Sequence, residues 1–437
     1  MPLFFTKEIK DKNEKYIEPD GAGIIYPYVA TKDWNSVYRI EAITKARVNF
    51  VCLEAAVKIM KKKYPYFFSR ISTHGNKYVF KRGYASNVVV KDSEMCKPFD
   101  IKDEDTLLRV VYRNNAIGAE FFHSVTDGHG AQMFFGELLK EYYNILNSPS
   151  CYDNPEISAV STNTLLQSTE DIYDEIYNEL GGKSVSRFLS KAYQFDKSNE
   201  TKLTCESVGL FLPALKNAAH KYGSSVTEYL CAAQIEAILR TERVKNKTVR
   251  ISVPVDIRKF FDIDTPRNAA LYFLVSVKPK EVHDFKSLVA VVRKQFESQL
   301  TKENMQNLAF SNVKCAKMKA YKMLPLALKK IALNIGYTTF GENQFTSTLT
   351  NLGKITLDGK IADELESVYF VLGKEKTKPF NISVSSLKDE TRLMISSAID
   401  STDLVKAMRE RLLGDGVVSS SAVKSSAAEK AKYPSVS

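Results

Sequence analysis

The sequence contains little cysteine, a single tryptophan and no long hydrophobic segment. Its six cysteines form no C-x-x-C pair, which argues against a zinc site and against a dense disulfide framework. We therefore expect no bound metal and a cytoplasmic protein. No stretch approaches the ~20 consecutive apolar residues that a membrane-spanning helix needs. The first residues lack a basic region followed by an apolar run, so we expect no signal peptide.

Acidic residues are outnumbered by basic ones, 51 against 62, which gives a formal net charge of +11. This charge would suit nucleic acid, an anionic membrane or an anionic small molecule. The sequence has no RNP, zinc-finger or helix-turn-helix signature, so we expect no nucleic-acid partner. Two interpretations of the positive charge remain: a solvated lysine-rich surface, or a basic entrance to a binding site for a phosphate-bearing donor such as coenzyme A.

The first half of the chain alternates strand and helix patterns. Residues 37–46 predict a strand, and residues 49–61 predict a helix capped by Asn49. The strand-like runs 107–112 and 116–122 are separated by two asparagines, which predicts a hairpin. After this hairpin a helical pattern begins at Ala131.

The second half repeats this mixture. Ser225 and Glu228 form a capping box that predicts a helix through Leu239. Strands are predicted over 247–254 and 268–277, and Asp284 is positioned to cap another helix. A chain of 437 residues is long enough for two domains, and both halves indicate an α/β (α+β) fold.

His123 differs from the other four histidines because it follows two phenylalanines at the end of an apolar strand. The segment His123-Ser-Val-Thr-Asp127-Gly128 lies where this strand turns into a helix. A neutral imidazole there can accept a proton from a hydroxyl or amine, and Gly128 lets a substrate approach the backbone closely. Alone, the string is weak evidence, because a histidine after an apolar strand is more often structural.

The segment resembles the active-site motif of the chloramphenicol acetyltransferase-like superfamily, which includes alcohol acetyltransferases, condensation domains and plant-type BAHD acyltransferases. Further resemblances follow in the family's order along the chain, up to about residue 413. They are Lys63 to Ile71, Leu107 to Tyr143, Leu212 to Leu239, Val253 to Arg258, Thr350 to Gly353, Pro379 to Val384 and Leu393 to Asp400.

The resemblance implies two chloramphenicol acetyltransferase-like domains that form a V with a channel between them. We assign residues 1–165 to the N-terminal subdomain with the HxxxDG motif, 166–199 to a connection and 200–413 to the C-terminal subdomain. The low-complexity residues 414–437 are expected to be a disordered tail.

The resemblance also implies roles for single residues. His123 would act as general base, and Asp127 would anchor the loop through an ion pair with Arg258. The oxyanion of the tetrahedral reaction intermediate would be contacted by Asn351 or by a nearby hydroxyl group. The candidate hydroxyl groups belong to Ser347, Thr348 and Thr350.

Departures from the family pattern narrow the function. Condensation domains usually carry two adjacent histidines, but position 122 is Phe, and no Asp-Phe-Gly-Trp-Gly motif of the plant-type branch is present. The favoured interpretation is transfer of an acyl group, acetyl first, from acyl-CoA as cosubstrate to a small alcohol, with no permanently bound cofactor. The alternatives are a condensation-type enzyme with a donor on an acyl carrier protein and an amine acceptor, and an inactive binding protein.

Residues 317–335 combine an apolar helical stripe with five lysines. Such a helix is compatible with peripheral contact to an anionic membrane. The favoured interpretation is instead a helix whose stripe packs on the second domain. Pro325 suits the start of a helix better than its middle.

Overall fold

The computed structural model describes residues 9–11, 14–82, 88–101, 106–148, 168, 170–185, 189–198, 200–376 and 378–418. A few residues of the predicted connection and the predicted tail from residue 419 lie outside these residues. Residues 414–418, at the start of the segment expected to be a tail, belong to the described structure: α13 (Thr402–Gly414) ends at the first of them, and Val418 pairs with Leu210.

Strands and helices alternate along the described chain. The strands are β1 (Ile9–Asp11), β2 (Glu14–Ile17), β3 (Val37–Thr44), β4 (Ser69–His74), β5 (Lys77–Arg82), β6 (Val89–Lys91), β7 (Leu108–Arg113), β8 (Ala116–Phe122), β9 (Thr204–Phe211), β10 (Val249–Asp256), β11 (Ala270–Val277), β12 (Ser347–Lys354), β13 (Leu365–Leu372), β14 (Phe380–Leu387) and β15 (Glu390–Ser397). The remaining α-helices are α1 (Tyr26–Val29), α2 (Phe50–Lys63), α3 (Gly128–Asn147), α4 (Ile172–Glu175), α5 (Leu212–Lys221), α6 (Val226–Thr241), α7 (Arg258–Phe261), α8 (Phe285–Gln299), α9 (Lys302–Lys317), α10 (Lys319–Met323), α11 (Leu326–Gly336) and α12 (Gly359–Asp363).

The first half of the chain forms a sheet with α2 and α3 packed on it. Its strand order is β13-β3-β8-β7-β6, and its central strands β3 and β8 are buried along their whole length. These strands are not purely apolar, because Arg39 and Glu41 on β3 and Glu120 on β8 are buried as ion pairs. A second sheet has four strands in the order β1-β2-β5-β4.

The second half forms a six-stranded sheet of order β11-β10-β12-β14-β15-β9. A separate hydrophobic core joins this sheet to α5, α6, α8 and α13. The two cores confirm the predicted α/β class, because each is built from helices packed on a mixed sheet.

The two halves are linked through β13, which lies late in the sequence but belongs to the first sheet. It pairs antiparallel with β3. From the neighbouring sheet, Ser385 on β14 donates a hydrogen bond of 2.8 Å to the carbonyl oxygen of Val368 on β13. The division of the chain at residues 166–199 stays a prediction. β13 comes from the second half of the sequence but forms part of the first sheet.

Local sequence signals place several element ends correctly. Asn49 caps α2 by accepting hydrogen bonds from Val51 and Cys52, and the Ser225–Glu228 capping box opens α6. Asp284 caps α8 as predicted. The prediction that α3 begins at Ala131 is three residues late, because Asp127 caps it and the helix begins at Gly128.

The segment 317–335 differs from its prediction. It is divided between α10 and α11, with Pro325 directly before α11. The expectation that its stripe packs on the second domain is wrong, since Leu328, Ile331 and Ile335 are at least half exposed. Among the described helices none is long and apolar enough to cross a membrane.

Candidate active site

A cavity of about 810 Å³ is lined by residues of both large sheets. The first half contributes Tyr38 and His123, and the second half contributes Ser252, Val255 and Asn351. This volume lies in the range of small-molecule sites. The cavity is therefore large enough for a small molecule and is lined by both halves of the chain.

His123 lies at this cavity, directly after β8. Its backbone N–H donates to the carbonyl oxygen of Ser36 over 2.8 Å. Its ring stacks on Tyr26 at 4.8 Å between centroids and meets Tyr38 edge-on at 5.1 Å. Burial lowers the pKa of His123 below its ordinary value of 6.5, and the charge of Asp127 opposes this shift only in part. The imidazole is therefore neutral near pH 7 and able to accept a proton.

Asn268 fixes the tautomer of this imidazole. His123 Nδ1 lies 3.1 Å from Asn268 Oδ1. The amide nitrogen of Asn268 points the other way, at Asp20 Oδ2 (3.1 Å) and at the carbonyl oxygen of Ser124 (3.4 Å). Both of these neighbours are acceptors, so Asn268 must present its oxygen to His123. The ring proton consequently sits on Nδ1, and Nε2 is left as the accepting nitrogen.

Asp20 holds Asn268 in this orientation. Its carboxylate accepts hydrogen bonds from the backbone N–H groups of Asn268 (3.0 Å) and Gly23 (2.6 Å). Burial raises the pKa of Asp20, and the nearby Arg267 opposes the rise. Asn268 and Asp20 were not predicted as site residues from the sequence. Their only signals were a polar residue just before a strand and an Asp-Gly pair, neither of which identifies a partner.

Asp127 does not contact His123 but locks the loop that carries it. Its Oδ1 accepts from the backbone of His129 (3.1 Å) and Gly130 (3.0 Å), and its Oδ2 accepts from the backbone of Ala269 at 2.7 Å. The structure brings Arg258 to the same carboxylate, with Nη1 2.9 Å from Oδ2. Burial is the largest influence and opposes ionisation, but Arg258 and the backbone donors of Gly130 and Ala269 together outweigh it, so the pKa of Asp127 is lowered.

Arg258 has further partners that hold it between the halves. Its guanidinium donates to Asp256 Oδ1 over 2.9 Å and to the carbonyl oxygen of Thr265 over 2.8 Å. It also donates to the carbonyl oxygen of Arg267. The side chain is 7% exposed. One buried cation thus connects the loop after β8 to the segment between β10 and β11.

Gly128 also lines the cavity, and its place there is set by Leu352. A Cβ atom at Gly128 would come within 2.5 Å of the Leu352 side chain. Glycine therefore lets β12 approach the start of α3 closely.

The four residues considered for contact with the oxyanion are placed differently. Thr348, Thr350 and Asn351 line the cavity. Asn351 Nδ2 donates to Thr227 Oγ1 over 3.0 Å, while its Oδ1 accepts from the backbone of Gly353. Ser347 does not belong to the lining, because its buried hydroxyl donates to the carbonyl oxygen of Phe380 and accepts from Gln234. The expectation that Ser347 contacts substrate is therefore not supported.

A second group of ionisable residues lies at the cavity wall. Glu375 is 3.4 Å from Thr348 Oγ1, and burial, followed by the charge of Glu342, raises the pKa of Glu375 to about 8. Burial likewise lowers the pKa of Lys378 to about 8. Burial therefore makes the carboxyl group of Glu375, which lines the cavity, much harder to ionise than that of an exposed glutamate. In the described part of the chain, no group of three or more His, Cys, Asp or Glu residues could hold a metal ion.

Comparison with solved structures identifies the fold. Trichothecene 15-O-acetyltransferase (TRI3) of Fusarium sporotrichioides superposes with a TM-score of 0.63 at 13% identity, over 95% of this chain and 99% of that one. The chain has the fold of the chloramphenicol acetyltransferase-like superfamily.

Two other solved structures share this fold. TRI101 of F. graminearum, complexed with coenzyme A and T-2 mycotoxin, has a TM-score of 0.62 at 11% identity, with 90% and 97% coverage. The epimerization domain from the third module of tyrocidine synthetase B has a TM-score of 0.58 at 12% identity, with 92% and 96% coverage. No family model and no curated protein matches the sequence.

Proposed function

We propose that the protein is an acyltransferase that moves an acyl group from a coenzyme A thioester to an alcohol, with His123 as general base. The observation that supports this most is the hydrogen bond from His123 Nδ1 to Asn268, which leaves Nε2 as the acceptor nitrogen at the cavity. A neutral, oriented imidazole in a cavity that both halves line is the arrangement that proton abstraction requires.

The reaction needs no nucleophile from the protein. The acceptor hydroxyl oxygen attacks the thioester carbonyl carbon while its proton passes to His123 Nε2. The tetrahedral intermediate then collapses, the carbon–sulfur bond breaks, and the departing thiolate takes the proton back from Nε2. His123 returns to its neutral form, so acceptor and thioester become ester and free thiol with no other reactant. Asp127 keeps its charge throughout, because its oxygens are already occupied by Arg258 and three backbone donors.

In this proposal, residues of β12 stabilise the oxyanion of the tetrahedral intermediate. Asn351 Nδ2 donates one hydrogen to Thr227, and its second hydrogen can be directed at the oxyanion. Thr348 and Thr350 supply alternative hydroxyl donors on the same wall.

The donor is proposed to be coenzyme A-linked. Lys259, an exposed residue on the cavity lining, offers a cation for its phosphates. The structure of TRI101 complexed with coenzyme A adds support at the level of the fold. Steady-state kinetics with acetyl-CoA and acetyl-pantetheine tests this: a much lower KM for acetyl-CoA supports recognition of the nucleotide. Equal KM values would favour a donor on a carrier protein.

The central test is transfer by the purified protein over a panel of alcohols and amines, with acetyl-CoA and longer acyl-CoAs. Thiol release and mass spectrometry of the product are measured together. His123→Ala should lower kcat by about 10²–10⁴-fold, the usual contribution of a general base. His283→Ala, which changes an exposed histidine, is the matched control. Turnover of His123→Ala near the native rate would reject the general-base role, and binding of acyl-CoA without any transfer would favour an inactive member.

A further inference from the structure

The helices α10 and α11 present an apolar face to solvent. Twelve large hydrophobic side chains of the described residues are exposed, and five of them lie between residues 318 and 335. These five, which we call the outer face, are 50% to 81% exposed. The outer face consists of Met318, Met323, Leu328, Ile331 and Ile335. Such a concentration of exposed apolar side chains marks an interaction surface rather than chance exposure.

Positive charge surrounds the outer face. Residues 304–341 contain six lysines and no aspartate or glutamate. Lys319, Lys322 and Lys330 are exposed beside the apolar residues. Lys329 is different, because it is buried and its Nζ donates to the carbonyl oxygen of Asn76 over 2.9 Å. The surface is therefore an apolar stripe bordered by cations, which is complementary to an anionic partner.

Helix α11 is anchored to the body of the protein by its polar residues. Asn334 Nδ2 donates to the carbonyl oxygen of Tyr28 over 2.9 Å. Asn76, at the tip of the β4–β5 hairpin, donates to the carbonyl oxygen of Leu324 over 2.9 Å. On the opposite side of α11 from Ile331, Leu333 and Gly336 line the cavity of the candidate active site. The helix is thus a wall with one side toward the cavity and the other toward solvent.

The composition of the outer face decides between a protein and a lipid partner. Protein interfaces are enriched in aromatic residues, methionine and arginine and depleted in lysine. The outer face has no aromatic residue, and residues 318–335 contain no arginine. Methionine suits either partner, but the aliphatic side chains with flanking lysines match a helix that lies in the headgroup region of a bilayer.

We propose that the outer face docks onto an anionic lipid bilayer. The five apolar side chains enter the boundary between headgroups and acyl chains, while Lys319, Lys322 and Lys330 contact lipid phosphates. Docking places the outer side of a cavity wall against the lipid. If the proposed transferase activity holds, this geometry favours a lipophilic alcohol taken from the membrane, but docking itself does not depend on that activity.

The test is cosedimentation of the full chain with vesicles of phosphatidylcholine alone or with added phosphatidylserine. We expect binding only to the anionic vesicles, and binding should fall as salt is raised because the contacts to phosphates are screened. The triple variant Lys319→Glu/Lys322→Glu/Lys330→Glu should lower the partition coefficient by at least about a hundredfold, at roughly fivefold per lysine. Ile331→Glu/Ile335→Glu should also abolish binding.

Matched controls separate this surface from general attraction by a basic protein. Lys286→Glu/Lys294→Glu/Lys406→Glu makes the same charge change at exposed lysines elsewhere, and Leu413→Glu changes an exposed apolar residue on α13. Both controls should bind anionic vesicles at least tenfold better than their outer-face counterparts, and circular dichroism should confirm that all variants are folded. Absence of native binding to anionic vesicles, or equal losses in the control and outer-face variants, would overturn the proposal.

Discussion

Removal of the Arg258 guanidinium is the perturbation with the clearest consequence for the candidate site. In Arg258→Met the carboxylate of Asp127 stays buried without its cation, and loss of one partner of a buried ion pair costs about 3–5 kcal/mol. Three backbone N–H donors, from His129, Gly130 and Ala269, still contact this carboxylate. We therefore expect the lower end of that range, about 3 kcal/mol.

The assay is denaturant unfolding followed by circular dichroism and by fluorescence of Trp34, the only tryptophan in the chain. Trp34 is a suitable local probe because its buried indole donates to the carbonyl oxygen of Lys374 over 2.8 Å. Asp127→Asn keeps a side-chain oxygen for the helix cap but removes the charge. In the Asp127→Asn background, Arg258→Met should lower the free energy of unfolding by roughly 1–3 kcal/mol less than it does in the native chain, which is the usual coupling of contacting residues.

The dependence on pH gives an independent check. The pKa of Asp127 is lowered from 3.8 in the folded protein, so its contribution is complete above pH 3.8 and is lost as the pH falls through the folded value. Without Arg258, burial alone would raise this pKa, so the deficit of Arg258→Met should shrink as the pH falls. A deficit below about 1 kcal/mol, or one that does not change between neutral and acidic pH, would refute the reasoning.

Two further predictions concern the imidazole. Asn268→Ala removes the hydrogen bond that fixes the Nδ1–H tautomer. The loss of about 1–2 kcal/mol of transition-state stabilisation should lower kcat roughly 5- to 30-fold, with little change in KM for the donor. An unchanged kcat would remove Asn268 from the mechanism. Because burial lowers the pKa of His123, the acidic limb of kcat/KM against pH should have its midpoint below 6.5, the ordinary value for histidine. A midpoint above 6.5 would contradict the buried, neutral imidazole.

Local signals in the sequence predicted much of the secondary structure because they act within a few residues. The caps Asn49, Ser225 and Asp284 were all identified, since each side chain bonds backbone groups two or three residues away. The start of α3 was predicted three residues late because the capping role of Asp127 was not recognised. Asp127 was assigned only an ion-pair role, although it also caps the helix.

Residue contacts across large separations in sequence were harder to predict. His123 and Asn268 are 145 positions apart, and Asn268 and Asp20 are 248 apart, so no local pattern links them. The placement of Arg258 beside Asp127 was expected only through the resemblance to a family. Ser347 was included as a candidate because it lies near Asn351 in sequence, but its buried hydroxyl is bonded to Phe380 and Gln234, and no local pattern reveals these distant partners.

The sequence alone determined the α/β class, the position of His123 at the end of an apolar strand and the basic, apolar character of residues 317–335. These properties follow from periodicity, capping and composition, which are local. Only the tertiary structure decided that Nε2 of His123 is the accepting nitrogen, because the tautomer depends on Asn268 and Asp20 from distant segments. It also decided that Ile331 and Ile335 face solvent, since the exposed side of an amphipathic helix is set by which of its faces the rest of the chain covers.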